Sequence, residues 1–213
     1  RLLDYYAERA RGGCGLIICG DFAIDAPHGQ NLGCQVGISD DRFIPGLQQL
    51  TETVHRQGAL IAAQLVHAGK LAMIDMLHGI QPLAPSEASI GMKETLRDLT
   101  RDEFTRTATR FSGIPGIMKT RELTQEDIRR LVEGFASAAE RAKAAGFDGV
   151  EIHAGHGYLI SSFLSPAANK RQDEYGGELR NRARLLLEIL AATKARTGTG
   201  FPVWCRIDCR EFN

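Results

Sequence analysis

The sequence lacks an excess of charge of either sign. Its 213 residues include 26 lysines and arginines and 26 aspartates and glutamates, so the formal net charge is zero. A balanced charge gives no reason to expect a nucleic acid or an anionic membrane as a partner. Long apolar runs are also missing, since none approaches the roughly 18 residues of a membrane-spanning helix. We expect no signal peptide either, because the first residues already form a charged, helix-like stretch.

Cysteine is scarce, and its number is odd. The chain has five cysteines, which are Cys14, Cys19, Cys34, Cys205 and Cys209. An odd count without a short-loop disulfide framework favours reduced thiols and a cytoplasmic location. Cys205 and Cys209 are four residues apart, which is neither a zinc-ribbon nor an iron–sulfur spacing. We therefore expect the thiols of Cys205 and Cys209 to pack, with redox or ligand roles as the alternative.

Strand-like and helix-like segments alternate along the chain. Strands are predicted at residues 15–20, 59–65, 149–153 and 202–208, and helices at residues 2–10 and 41–55, the latter capped near Ser39. A longer helix begins at Thr124, where Asp127 completes a capping box, and ends at Gly146. A third apolar stripe consists of Leu179, Ala183, Leu186, Leu187 and Leu190.

Four strands separated by helices predict a parallel sheet covered by helices. Doubly wound sheets and eight-stranded barrels both fit, but no G-x-G-x-x-G follows the first strand, which argues against a dinucleotide-binding sheet. The chain begins with Arg1 inside a helical pattern and stops at Asn213 soon after a strand, whereas a complete barrel needs about 250 residues. We therefore predict a single α/β domain, residues 1–213, that is an incomplete TIM (β/α)8 barrel of about four β/α units. Its open sheet edges would favour association.

Residues 82–123 form a segment that is too long for an ordinary connection. Its charged middle, residues 93–110, fits one short helix, which Gly113, Pro115 and Gly116 would end. Two interpretations stay open. The segment is either a solvated surface excursion or a lid over the catalytic face, because it follows the C-terminal end of a strand.

Gln64 is the first of three polar side chains that end predicted strands. Alternation places Leu60, Ala62 and Gln64 on one face of their strand. An amide donates and accepts hydrogen bonds at once, which suits the mixed edge of a flavin pyrimidine ring. A structural amide bonded to the backbone is the alternative.

The run E-I-H-A-G-H-G-Y, residues 151–158, covers the second strand end. Glu151 and His153 share a face, and His156 follows one turn later. Two imidazoles at a strand exit can donate N–H to a carbonyl or nitro oxygen and polarise it, and Tyr158 is suited to donate a proton. A metal site is the competing interpretation, but no third ligand has a recognisable spacing, so we expect no metal.

Arg206, in P-V-W-C-R-I-D, is the third such residue. Alternation sends Trp204, Arg206 and Asp208 toward the barrel interior, where an arginine needs an anionic partner. Its charge could stabilise the N1–C2=O side of a reduced flavin. The alternative is a buried ion pair with Glu151 or Asp208.

These strand ends, in this order, resemble the Old Yellow Enzyme family. The longest similar segment is E-I-H-A-G-H-G-Y-L-I-S-S-F-L-S-P-A-A-N-K-R-Q-D-E-Y-G-G-E-L-R-N-R, residues 151–182, and Y-Y-A-E-R-A-R-G-G-C-G-L-I-I and Q-L-V-H-A-G-K are similar upstream. Within residues 82–123 only L-A-P-S and E-L-T are similar. The resemblance implies a TIM barrel that binds FMN noncovalently, of which the first strand and the last strands, whose loops bind the phosphate, are missing here.

The resemblance also implies roles for individual residues. Gln64 and Arg206 would contact FMN. His153 and His156 would orient the electron-withdrawing group of an unsaturated carbonyl substrate, and Tyr158 would donate the proton. NADH or NADPH would be the reductant. Other polar residues would hold the structure beneath and beside the site, namely His67, Asn169, Arg171, Asp173, Tyr175, Asn181 and Arg182.

Two alternatives to a simple ene-reductase stay open. The first is the barrel of a larger FMN and iron–sulfur enzyme, similar to dienoyl-CoA reductase, with a 4Fe-4S cluster beyond Asn213. The second is a truncated, non-catalytic barrel that pairs with another chain. Association of the chain into a homo-oligomer is also expected.

Overall fold

The computed structural model describes residues 1–91, 100–102, 105 and 117–210. Its strands are β1 (Leu16–Ala23), β2 (Val36–Gly37), β3 (Leu60–Val66), β4 (Leu83–Ala84), β5 (Ser89–Gly91), β6 (Ile117–Lys119), β7 (Arg121–Glu122), β8 (Gly149–Ala154) and β9 (Val203–Ile207). Its helices are α1 (Leu2–Arg11), α2 (Ile44–His55), α3 (Met73–Leu77), α4 (Gln125–Ala144), α5 (Leu159–Leu164), α6 (Leu179–Arg182) and α7 (Arg184–Thr197). Across these described ranges, no helix has the length and apolar character needed to span a membrane.

Five strands form the central sheet, in the order β2-β1-β3-β8-β9, and every neighbouring pair is parallel. Parallel neighbours require crossover connections, which α2, α4 and the α5–α7 segment supply. The predicted parallel sheet with intervening helices is therefore confirmed. Strand β2 was not predicted, because a two-residue strand has no periodicity to detect.

The two faces of the sheet have different surroundings, because side chains alternate along each strand. One face belongs to the hydrophobic core, where Ile17, Ile61 and Val150 are buried with residues of α2, α4 and α7. The other face carries polar side chains from β3, β8 and β9. On this face Leu16 and Leu60, near the start of their strands, are 47% and 51% exposed.

Helix α4 has the predicted ends. The Thr124 hydroxyl accepts the backbone N–H of Asp127 at 3.1 Å, and the Asp127 carboxylate accepts the backbone N–H of Thr124 at 3.0 Å. The capping box is therefore confirmed. Beyond the helix, Gly146 has a φ of 85°, a left-handed conformation that suits glycine.

The predicted third stripe is right in part, because Leu186 belongs to the hydrophobic core and Leu190 packs against it. Leu179 and Leu187 are 63% and 57% exposed, whereas Leu185 and Ile189 are completely buried. The helix is interrupted at Ala183, between α6 and α7. Because α7 starts after this break, its buried face is formed by Leu185, Leu186 and Ile189, and it contains only part of the predicted stripe.

The helix predicted at residues 41–55 starts as a 3₁₀ turn, Asp41–Phe43, and continues as α2. Its cap is Asp40 rather than Ser39. The Asp40 carboxylate accepts the backbone N–H of Arg42 at 2.9 Å, while the Ser39 hydroxyl donates to the carbonyl of Ala26 at 3.3 Å. The cap predicted near Ser39 is therefore the adjacent residue, Asp40.

The segment 82–123 contains short strands at both ends. Strand β4 pairs with β7 in parallel, and β5 pairs with β6 in antiparallel fashion. The charged helix predicted at residues 93–110 and the breaks at Gly113, Pro115 and Gly116 lie outside the described residues, apart from 100–102 and 105. The lid interpretation therefore stays a prediction.

Candidate active site

Gln64, Glu151 and Trp204 form one row across the polar face of the sheet, because strand register places them side by side on β3, β8 and β9. The Gln64 amide donates from Nε2 to Glu151 Oε1 at 2.6 Å, and the Trp204 indole donates to Glu151 Oε2 at 2.7 Å. Each carboxylate oxygen thus has one donor. Gln64 is bonded to a side chain and not, as the structural alternative expected, to the backbone.

This bonding determines which end of the Gln64 amide is free. One hydrogen of Nε2 is committed to Glu151, so Oε1 and the second hydrogen remain for other partners. Oε1 lies beside Gly20, where an added Cβ would come within 2.8 Å of it. The cavity along this face has a volume of about 660 Å³ and is lined by Ile18, Gly20, Gln64, Glu151 and Arg206 among others.

His153 lies one row further along β8, opposite Arg206 on β9. It is 3% exposed, and its Nδ1 accepts the backbone N–H of Gly155 at 3.2 Å. Burial, with lesser contributions from the neighbouring His156 and Arg206, lowers the pKa of His153 from 6.5 to about 4. The imidazole is therefore neutral near pH 7, and Nε2 carries its proton.

His156 is held in an unusual conformation directly after β8. Its φ is 60°, and its backbone N–H donates to both carboxylate oxygens of Asp208, at 3.1 and 2.8 Å. Its Nε2 is 3.1 Å from Nη2 of Arg206. Because a guanidinium only donates, His156 Nε2 must accept, and the proton of a neutral His156 is on Nδ1.

Arg206 does not have the environment that was predicted for it. The side chain points to the predicted face but is exposed, and its contact is with His156. In the part of the chain that the structure describes, it forms no ion pair with Glu151 or Asp208. The requirement for an anionic partner rested on burial, and burial does not apply to Arg206 at the edge strand β9.

Tyr158 completes a group of three rings. Its ring centroid is 5.0 Å from that of His153 and 6.3 Å from that of His156, with both contacts edge-on. Its hydroxyl oxygen accepts the side-chain amide of Asn31 at 2.9 Å. Burial raises the pKa of Tyr158, the charge of Asp21 raises it further, and the Asn31 hydrogen bond lowers it. The predicted residues His153, His156 and Tyr158 are therefore brought together.

The sequence did not identify Asn31 and Asp208 as parts of this site, and it did not predict the hydrogen bond between Gln64 and Glu151. Asn31 is 127 positions from Tyr158 along the chain, and no local pattern marks such a contact. Asp208 was placed on the correct face, but its backbone partner was not predictable.

The residues expected to be structural do hold the loop after α5. The amide of Asn169 donates to the carbonyls of Phe163 and Tyr175 at 2.8 and 2.7 Å, and Arg171 forms a two-bond pair with Asp173. His67, which follows β3, is buried, with Nδ1 accepting the backbone N–H of Gly69. Its burial lowers its pKa to about 4.

A metal centre finds no support in the described residues, where no cluster of three or more histidine, cysteine, aspartate or glutamate side chains is arranged to hold an ion. All five cysteines lie in the described residues and are free thiols. Cys19 is buried, and its burial raises its pKa to about 11. The packing predicted for Cys205 and Cys209 is confirmed for Cys205, which is partly buried against the core, and is wrong for Cys209, which is exposed.

A family model and two relatives match nearly the whole of this chain. A family model described as "NADH:flavin oxidoreductase / NADH oxidase family" matches residues 1–212. The chain is 39% identical over 212 residues to an NADH oxidase of Thermoanaerobacter brockii, covering 100% of this chain and 29% of that protein. It is 41% identical over 211 residues to an NADPH dehydrogenase of Bacillus licheniformis, covering 99% of this chain and 53% of that protein.

A solved structure gives the same result at the level of the fold. The chain superposes on the Old Yellow Enzyme homologue from Zymomonas mobilis with a TM-score of 0.78 and 35% identity, covering 97% of this chain and 53% of that one. The chain thus spans about half the length, or less, of the relatives it matches. The overlay and the parallel strand order confirm the predicted fold, part of a TIM (β/α)8 barrel.

Proposed function

Because the chain belongs to the NADH:flavin oxidoreductase / NADH oxidase family, we propose that it forms the catalytic face of an FMN-dependent enzyme that reduces activated C=C bonds with NADH or NADPH. One observation carries the proposal. His153, His156 and Tyr158 make mutual ring contacts beside the strand row that contains Gln64. Polar groups at the C-terminal ends of successive barrel strands are where barrel enzymes carry out their chemistry.

The residues along the polar face suit FMN. Gln64 offers an acceptor and a donor in one plane, which matches the N–H and C=O groups of a flavin pyrimidine edge. Gly20 leaves room beside the Gln64 oxygen, and the cavity volume of about 660 Å³ lies in the range typical of cofactor sites. Arg206 supplies positive charge at the same face. When bound, FMN would supply hydride transfer from the nicotinamide to the substrate.

The two histidines are suited to hold a carbonyl oxygen. His153 presents Nε2–H because its Nδ1 accepts from Gly155, and His156 presents Nδ1–H because its Nε2 accepts from Arg206. Two neutral N–H donors polarise a carbonyl without the repulsion that two imidazolium ions would create. Tyr158, in contact with both rings, would then protonate the α-carbon while hydride reaches the β-carbon.

Replacement of Tyr158 by phenylalanine tests the proposal in the full-length protein. Reduction of the bound flavin by NADPH or NADH should proceed at nearly the original rate. Reoxidation by an enone such as cyclohexenone should slow by about 10²-fold or more, the contribution typical of a general acid. The two half-reactions are separated by stopped-flow absorbance of the flavin. An unchanged reoxidation rate would remove Tyr158 from its role.

A second candidate follows from the coverage of the relatives. The chain aligns with only 29% of the NADH oxidase of T. brockii but with 53% of the NADPH dehydrogenase of B. licheniformis. The same barrel therefore fits either a small flavoprotein or a larger FMN enzyme with a 4Fe-4S cluster. Iron and acid-labile sulfide measured on the full-length protein distinguish the two.

We also propose that the protein is cytoplasmic and that it self-associates. Cell fractionation tests the location, and light scattering tests the self-association.

A further inference from the structure

Asn31 lies in the loop between β1 and β2, and its side chain is hydrogen-bonded to Tyr158. Nδ2 of Asn31 lies 2.9 Å from the Tyr158 hydroxyl oxygen. The loop itself is braced locally. The backbone N–H of Asn31 donates to Gln35 Oε1 at 2.9 Å, and the Gln30 amide donates to the Gln35 carbonyl at 3.3 Å. Asn31 is therefore positioned by its own loop as well as by Tyr158.

The direction of this hydrogen bond has a chemical consequence. Because the Asn31 amide donates, the Tyr158 oxygen accepts, and the single hydroxyl hydrogen of Tyr158 is left free for another acceptor. A donor on the phenol oxygen also favours the phenolate that remains after the proton has left, since hydrogen bonds to charged groups are the stronger ones.

We propose that Asn31 is a positioning residue for proton donation, which directs the hydroxyl hydrogen of Tyr158 toward the substrate and stabilises the phenolate formed there. The inference rests on the proposed role of Tyr158. In the step concerned, the O–H bond of Tyr158 breaks as a C–H bond forms at the α-carbon. The π bond of the enone C=C breaks in the same reduction, and the β-carbon takes up the hydride that bound, reduced FMN would supply. The phenolate is held by the N–H of Asn31 until solvent returns a proton to it.

The other groups around Tyr158 make this donor necessary. Burial raises the pKa of Tyr158, and so does the charge of Asp21, a residue of β1. His153 of β8 and His156 just after β8 pack against the ring of Tyr158. His153 is neutral because burial lowers its pKa to about 4. Asn31 is the group that lowers the pKa of Tyr158 in this environment.

Two variants of Asn31 test the proposal in the full-length flavoprotein. Asn31→Asp keeps the shape of the side chain and replaces the donor with a carboxylate oxygen, and Asn31→Ala removes the side chain. Both should slow flavin reoxidation by cyclohexenone roughly tenfold to a hundredfold, the loss expected for a hydrogen bond to a charged oxygen. Flavin reduction by the nicotinamide should keep its rate. Gln57→Glu, at an exposed position just after α2, is the amide-to-acid control and should leave both rates unchanged.

The pH profile separates this role from general damage to the fold. Tyr158 must be protonated to donate, so reoxidation falls as pH rises through its pKa. Loss of the Asn31 donor raises that pKa. The variants should therefore reoxidise the flavin more slowly near pH 7, and the fall of their rate at basic pH should begin at a higher pH than in the parent protein. A ¹³C NMR titration of labelled tyrosine, with Tyr158 assigned by its absence in Tyr158→Phe, should show the same upward shift without any turnover.

A double variant distinguishes failure of the inference from failure of the proposed function. In a Tyr158→Phe background, Asn31→Asp should slow reoxidation no further, because both changes act through one group. If Tyr158→Phe slows flavin reoxidation while Asn31→Asp keeps the original reoxidation rate and the original pKa of Tyr158, the role of Asn31 is overturned and that of Tyr158 stands. If Tyr158→Phe keeps the original rate, the proposed function itself fails.

Discussion

The carboxylate of Asp208 accepts the backbone N–H of His156 with both of its oxygens, at 3.1 and 2.8 Å. The Ser161 hydroxyl donates to the same carboxylate at 3.1 Å. Asp208 follows β9 directly, and His156 follows β8. The residue that follows β9 therefore holds the loop that follows β8. At this contact the backbone of His156 has a φ of 60°, a conformation that is uncommon for residues other than glycine.

We expect Asp208→Ala to weaken substrate binding more than turnover. Without the carboxylate, His156 can relax from its left-handed conformation, and its N–H donor turns away from the substrate oxygen. The KM for an enone should rise by about tenfold, corresponding to about 1.4 kcal/mol, while kcat changes much less. Steady-state kinetics of the full-length enzyme measure both constants. Asp208→Asn keeps one acceptor and should give an intermediate KM, and equal KM values in all three proteins would contradict the role of Asp208.

Glu151→Gln should weaken the binding of FMN. The carboxylate receives donors from both Gln64 and Trp204, and a glutamine can accept from only one of them without presenting its own N–H₂ to the other. The Gln64 amide would lose its fixed orientation, and the dissociation constant of FMN should rise about tenfold. Quenching of flavin fluorescence on binding gives that constant.

Trp204→Phe is the matched control for the Glu151 variant. It removes one donor but leaves the Gln64–Glu151 hydrogen bond in place, so FMN should bind more tightly to it than to Glu151→Gln. The reverse order of the two dissociation constants would show that Glu151 acts on FMN by some route other than Gln64.

Acid should destabilise the fold between pH 6.5 and about 4. Burial lowers the pKa values of His67 and His153 from 6.5 to about 4. Between these values the unfolded chain binds protons that the folded chain excludes, so the stabilisation present above pH 6.5 is lost as pH falls through this window. Each histidine should contribute roughly 1–3 kcal/mol to the loss. Urea unfolding near pH 7 and near pH 5 measures it.

His67→Asn should flatten this pH dependence, because it removes one of the two buried titrating groups. His78→Asn changes an exposed histidine and should leave the dependence as it is. An equally steep loss of stability in the His67 variant would mean that other groups cause the acid sensitivity.

Thr124→Ala should destabilise the protein by about 1 kcal/mol, the usual cost of losing an N-cap side chain. The hydroxyl accepts the backbone N–H of Asp127 at the start of α4, and alanine leaves that donor without its partner. Thermal unfolding compares the variant with the parent protein. Thr124→Ser keeps the hydroxyl and should retain most of the stability, and a serine variant as unstable as the alanine variant would point to the lost methyl group instead.

Most of the long elements were predictable, because their signals are local. The helix that begins at Thr124 has its capping box, its apolar stripe and its terminal Gly146 within one continuous segment. One error has an identifiable cause. The stripe read from Leu179 assumed an unbroken helix, and the break at Ala183 depends on how the preceding loop packs, which no helical period records.

The candidate site was predictable in its chemistry and less so in its contacts. The order of residues on a strand decides which side chains share a face, so Gln64, His153 and Arg206 were assigned to the polar face from alternation alone. The exposure of Arg206 was not predictable, because alternation gives the direction of a side chain and not what covers it.

The sequence by itself determined the alternation of strands and helices, the residue types at each strand end and the family that those residues resemble. The tertiary structure alone decided the partners. The contact between Asn31 and Tyr158 spans 127 positions, and that between Asp208 and His156 spans 52. Such pairs meet because parallel register brings the ends of separate strands to one edge of the sheet. Periodicity is set within a few residues of chain, whereas register is set by packing of the whole domain.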